Sequence, residues 1–166
     1  MTTDRRTKTI AGRNHPSVLK DDRYVLAAGA TVTPGMLLEV SGETSDGALE
    51  VQPHSTAARN PGRLLFAEVR AHPPRGDQSR TSRKDLDYGQ EGEMVEAVHF
   101  RPGDGTDNAL LADGESVTPG DSLVSDGAGG LQAAAGDGTE EGAYVCEADE
   151  TLNNTSGDYA RIEVTF

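Results

Sequence analysis

The sequence predicts an all-β protein: a small β-barrel or sandwich made of two duplicated, hairpin-rich units behind an extended N-terminal arm. Three observations predict it. First, no window of a dozen residues carries an apolar i, i+3, i+4, i+7 stripe free of Gly or Pro, so helix signals are nearly absent. Second, short β-type runs bounded by Gly, Pro, Asp and Ser recur at 24–27, 36–40, 48–51, 64–69, 94–100, 122–124, 143–146 and 160–166. Third, the chain repeats itself: Gly29 matches Gly114, Val32-Thr-Pro-Gly35 matches Val117-Thr-Pro-Gly120, and Leu38 matches Leu123, all at an offset of 85.

Taken in order, residues 1–23 show no strand periodicity, and His15-Pro16 reads as extended because proline biases its predecessor away from helix. Two readings stand for this segment: an arm ordered by a partner, or a disordered tail. The first unit, 24–100, opens with a short strand and the tetrapeptide Thr33-Pro34-Gly35-Met36. Pro at i+1 and Gly at i+2 fit a type II turn, and Thr118-Pro119-Gly120-Asp121 repeats it in the second unit, 101–166. A Leu-bearing strand follows each turn, then Asp46-Gly47 or Gly129-Gly130, then a returning strand.

The repeat continues with smaller offsets. Gly47-Ala-Leu49 aligns with Gly129-Gly-Leu131, Phe66-Ala-Glu68 with Val145-Cys-Glu147, and Ala97-Val-His-Phe100 with Glu163-Val-Thr-Phe166. The offsets shrink from 85 to 66, so the first unit carries the extra residues, most of them in the polar stretch 71–92. The closing run alternates cleanly, with Ile162, Val164 and Phe166 on one face. Neither hairpin unit can bury its apolar face alone, so the two are expected to pack around one core.

Composition narrows the function classes. No stretch approaches the roughly 20 apolar residues that span a bilayer as a helix, and Cys146 is the single cysteine, which excludes a disulfide scaffold. Charge without an apolar run behind it at the N-terminus gives no expectation of a signal peptide and places synthesis in a cytosol-like compartment. The net charge is −13, from 28 acids and 15 bases, and only three of the bases are Lys. Sparse lysine with abundant carboxylates suits molar salt, where the Debye length falls to about 3 Å and self-repulsion is screened. A halophile's protein is one reading, an ordinary acidic bacterial domain the other.

The charge is segregated. Residues 1–23 carry a net +3 and residues 70–84 a net +4, which leaves 4 bases and 24 acids for the remainder. Two basic segments on an acidic body read as docking elements for acidic partner surfaces, or as solvated loops. Neither interleaves aromatics with arginine, and the body would repel phosphate, so nucleic acid is not an expected partner.

The sequence shows no residue pattern for catalysis or metal binding. His15, His54, His72 and His99 lack metal-ligand spacing, and Cys146 sits in an apolar run as a core residue. Asp104-Gly-Thr-Asp107-Asn108 lacks the order of a calcium loop and reads as a polar turn. No phosphate-binding loop or nucleophile elbow occurs. The expectation is therefore no enzyme, no cofactor and no metal.

The segments Ala28-Gly29 through Val32-Thr-Pro-Gly35 and Leu37-Leu38, then Asp46-Gly47 and Leu65-Phe66-Ala67-Glu68, with Val117-Thr-Pro-Gly-Asp121, Leu123-Val124, Gly129-Gly130 and Val145-Cys-Glu147 in the second copy, resemble the capsid decoration (cement) proteins of tailed viruses. The resemblance covers about residues 24–70 and 93–166. Many such proteins have a single unit and lack the 71–92 insertion, so this chain departs from the pattern on both counts.

The resemblance implies a β-rich, often trimeric virion protein, made in the host cytoplasm, that clamps major capsid subunits on the outside of an icosahedral shell. With the acidic composition, the virus would be one of a haloarchaeon. The expected capsid contacts are Arg5, Arg6, Lys8 and Arg13 in the arm and Arg75, Arg80, Arg83 and Lys84 in the insertion. Arginine suits that role because its planar fork pairs with carboxylates in two parallel hydrogen bonds. The alternatives are a vertex turret or fibre-base head protein and a cellular β-clip-like binding module.

Overall fold

The computed structural model describes residues 19–68, 87–136 and 143–166, and these contain strands, turns and no helix. The first half supplies β1 (Leu19–Leu26), β2 (Leu38–Glu43), β3 (Leu49–Pro53), β4 (Leu65–Ala67) and β5 (Met94–His99), hydrogen-bonded in the order β2-β3-β1-β5-β4. The second half supplies β6 (Gly105–Leu111), β7 (Ser116–Val117), β8 (Ser122–Ser125), β9 (Leu131–Ala133), β10 (Tyr144–Ala148), β11 (Leu152–Asn153) and β12 (Ala160–Thr165). Of these, β10-β12-β6-β9-β8 close into a barrel, and β7 pairs with β11 alone.

The two halves share one topology. A parallel pair joins β1 to β3 and β6 to β9, while antiparallel pairs join β2 to β3 and β8 to β9, β1 to β5 and β6 to β12, and β4 to β5 and β10 to β12. The duplicated tetrapeptides dock identically. Met36 N–H donates to the Thr33 carbonyl at 3.0 Å and Asp121 N–H to the Thr118 carbonyl at 3.1 Å, closing each turn. Gly35 and Gly120 sit at φ 100° and 92°, the left-handed position a type II turn reserves for glycine. Gly35 N–H then donates to the Ala67 carbonyl and Gly120 N–H to the Ala148 carbonyl, both at 2.8 Å.

These bonds fix which residues are equivalent, and they correct the sequence alignment. The offset of 85 holds through the turn and β2/β8, but Ala67 is equivalent to Ala148, an offset of 81 where sequence matching gave 79. Ala67 pairs with Ala97 and Ala148 with Val164, so β5 and β12 correspond at 67, not 66. One residue matters because it exchanges the two faces of a strand. The true register sets Val95 and Ala97, which face the first half's core, against Ile162 and Val164, which face the barrel interior.

Three further corrections follow from the strands. β1 begins at Leu19, five residues inside the segment expected to be an arm; it pairs with β5 through its backbone from Leu19↔His99 onward. The expected polar turn 104–108 is mostly strand, because β6 runs from Gly105 as the counterpart of β1. Tyr88, placed in the inserted stretch, instead bridges Val32 as Leu152 bridges Val117, so it belongs to the repeat.

The first half stays a curled, open sheet. Its outer strands meet only at the Leu37↔Phe66 bridge, whereas β8 and β10 pair at three positions from Tyr144↔Val124 to Glu147↔Ser122. Two cores result. Tyr24, Leu26, Leu38, Val51, Leu65 and Val95 fill the curl of the first sheet. The second core fills the barrel with Leu111, Leu123, Leu131 and Ile162 and extends to Leu37, Phe66, Val98 and Phe100 on the back of the first sheet. β5 thus buries Val95 and Ala97 on one face and Val98 on the other, while Met94 stays exposed.

Candidate functional site

All eight residues expected to contact a capsid (Arg5, Arg6, Lys8, Arg13, Arg75, Arg80, Arg83 and Lys84) lie outside the described residues. The described part holds two arrangements with chemical potential: a buried His–Ser pair and an exposed arginine ridge.

His54 follows β3 and carries its ring across to the barrel, where Nδ1 lies 2.7 Å from Ser125 Oγ. Its Nε2 lies 3.9 Å from Glu39 Oε2. The spacing has the outline of a nucleophile, a base and a carboxylate, but Ser125 is fully buried and His54 is 2% exposed, so no substrate reaches the hydroxyl. The pair is a tie between halves. Ala58 N–H donates to the Ser125 carbonyl at 2.8 Å and Leu37 N–H to the Gly129 carbonyl at 2.7 Å in the same seam. Burial holds His54 below the usual imidazole value of 6.5, with Arg59 pushing the same way and Glu39 and Asp126 opposing. Burial alone would raise the Glu39 carboxyl, yet bonds from Ser55 Oγ at 2.6 Å and Gln52 Nε2 at 2.7 Å leave it lowered. A second tie comes from Arg161, whose guanidinium donates to the Asn108 carbonyl at 3.1 Å and the Pro34 carbonyl at 3.3 Å.

The ridge is the loop 60–63 between β3 and β4. Gly62 N–H donates to Asn60 Oδ1 at 2.7 Å, so the Asn-Pro-Gly sequence folds back on itself. A cleft flanks each side. One, of about 420 Å³, is apolar, walled by Pro61, Leu64, Pro102, Tyr144 and Phe166. The other, of about 540 Å³, opens over the unclosed edge of the first sheet beside Leu38, Val40 and Leu65, with Arg59, Glu39 and His54 at its rim. Arg63 lines both.

The electrostatics of the ridge are unusual for this chain. Within 24–68, 87–136 and 143–166 the sequence has 20 acids and 4 bases: Arg59, Arg63, Arg101 and Arg161. Arg161 is spent on the inter-half tie; the other three are exposed. Among the described residues, no carboxylate comes within 4.0 Å of the guanidinium of Arg59, Arg63 or Arg101. Arg101 precedes Pro102 of the apolar cleft, so these three exposed arginines border the same ridge. Sequence reasoning missed this site. It showed four bases outside the basic segments, but their convergence depends on β4 and β5 pairing, with Leu65 opposite His99.

The Cys146 thiol is buried in the barrel core, and burial pushes its ionisation well above the usual range, which makes it a packing residue. Among the described residues, no group of three or more His, Cys, Asp or Glu side chains is arranged to hold a metal ion. Comparison with known proteins found no family model and no curated sequence that matches this chain.

Proposed function

We propose that this chain is a structural virion protein that binds the outer surface of an icosahedral capsid, decorating the shell of a tailed virus of a salt-loving archaeon and stabilising contacts between major capsid subunits. The observation that supports the reading is that Arg59, Arg63 and Arg101, exposed among the described residues, border one loop of an acidic, doubled β body. His99 pairs with Leu19 on one side and Leu65 on the other. The basic N-terminal segment therefore joins the body two strands from Leu65, roughly 10 Å at the usual strand spacing, and Arg63 and Arg101 lie two residues from that row. The carboxylate-rich remainder faces solvent. A fused pair of units tied by His54–Ser125 and Arg161 gives a stiff body, so force on one contact is passed to the other. The copies would assemble as trimers on the shell.

The experiment is co-sedimentation of the purified chain with virus shells on a density gradient in molar salt. Saturable retention on the shells supports the reading. Recovery of the chain only at the top of the gradient overturns it.

A further inference from the structure

We infer that the 60–63 ridge binds a short acidic peptide segment of a partner protein, with an aromatic or aliphatic side chain of that segment seated in the cleft beside Tyr144. Three exposed guanidiniums with no carboxylate partner among the described residues, on a body with 20 acids, form a site for carboxylates. Each planar fork can hold a carboxylate by two parallel hydrogen bonds. The neighbouring cleft supplies the apolar half of the recognition. Tyr144 is 44% exposed, one of the three large exposed hydrophobics of the described residues, and it stands over a wall of Pro61, Leu64, Pro102 and Phe166. At about 420 Å³ the cleft has room for one such side chain. Anchors of this kind, fenced by charge pairs, carry most of the affinity in peptide and protein interfaces.

The charge pattern selects a short peptide over a polyanion. A nucleic acid strand extending past three arginines would run onto carboxylates, whereas a peptide can place one or two acids on the ridge and its apolar side chain in the cleft. The inference stands on the ridge geometry alone, so peptide binding and shell binding can fail separately.

The test uses the full chain and a fluorescein-labelled peptide, Glu-Glu-Phe-Glu-Glu-Leu-Glu-Glu, with a control in which every Glu is Gln. Binding is read by anisotropy, and its location by amide shifts in 15N-labelled protein. The expected result is saturable binding with shifts at Arg59, Arg63, Leu64, Gly103 and Tyr144. Arg59→Glu with Arg63→Glu, and separately the control peptide, weaken binding by about tenfold or more. Tyr144→Ala weakens it while leaving the amide spectrum dispersed. The inference is overturned by no saturable binding at millimolar peptide, by shifts centred elsewhere, or by affinity indifferent to the double reversal. It is also overturned if sedimentation shows a dimer that the double reversal abolishes, since the ridge would then belong to a second copy of this chain.

Discussion

Phe100, the last residue of the first unit, stacks on Phe166, the last residue of the second, with ring centroids 4.4 Å apart and planes 17° apart. Phe66 completes the group, its ring edge-on to Phe100 at 5.7 Å and tilted against Phe166 at 5.2 Å. The three phenylalanines of the chain therefore lie together where the units meet. A double-mutant cycle with Phe100→Leu and Phe166→Leu should show coupling of about 0.5–1.5 kcal/mol beyond the lost buried area. Urea unfolding of the four proteins measures it. Strict additivity would mean that the rings share a core without interacting.

The two equivalent turn glycines should respond differently to alanine. At Gly120 an added Cβ meets nothing within 4 Å, so Gly120→Ala costs only the left-handed backbone, about 1–2 kcal/mol. At Gly35 the same Cβ runs into the Asn108 carbonyl and crowds the Arg161 guanidinium, which adds about 1–3 kcal/mol of overpacking. Thermal unfolding should rank Gly35→Ala well below Gly120→Ala. Equal losses would place the seam between units elsewhere.

Stability should fall with acid in two windows. Because the folded state lowers His54, the unfolded chain takes up its proton first as pH drops below 6.5. That stabilisation is present above 6.5 and is lost as pH falls through the folded value. Glu39 is lowered too, so its contribution is lost below 4.5 in the same sense. Urea midpoints measured from pH 8 to 4 should decline below 6.5 in the native protein, and His54→Gln should remove the upper part of the decline. A native curve flat between 6.5 and 5 would show that the buried imidazole is not held neutral.

Removing residues 1–18 deletes Arg5, Arg6, Lys8 and Arg13 yet leaves β1 whole from Leu19. The truncated chain should unfold at the native midpoint and lose shell occupancy by about tenfold or more, since a tethered second contact raises effective concentration. Unchanged occupancy would remove the arm from the binding account.

The turns were the legible part of this sequence, because Thr-Pro-Gly dictates both φ angles and its duplication exposed the repeat. The clean alternation of Ile162, Val164 and Phe166 was legible for the same local reason, and the three are buried on one face as expected. β6 was hidden by its polar start at Gly105-Thr-Asp-Asn, although Leu26-Ala27 and Leu111-Ala112 repeat at the same offset of 85 and carried the signal. The slip from 67 to 66 arose because Phe100 and Phe166 match in type; both close their units, but tertiary stacking, not equivalence in the sheet, brings them together. The start of β1 left no mark, since Leu19-Lys-Asp21 pairs with β5 by backbone bonds that any side chains permit, and the register shifts before Tyr24. The ridge was illegible because Arg63 and Arg101 are distant in sequence and only the β4–β5 pairing brings them to one end.

The central claim, a decoration protein on a capsid, is tested most directly by copy counting. Purified virus particles from a salt-loving host are digested, and peptides of this chain are quantified against those of the major capsid protein. The account predicts hundreds of copies per particle in a simple ratio to that protein. Tens of copies, as at a fivefold vertex, or absence from particles would contradict it.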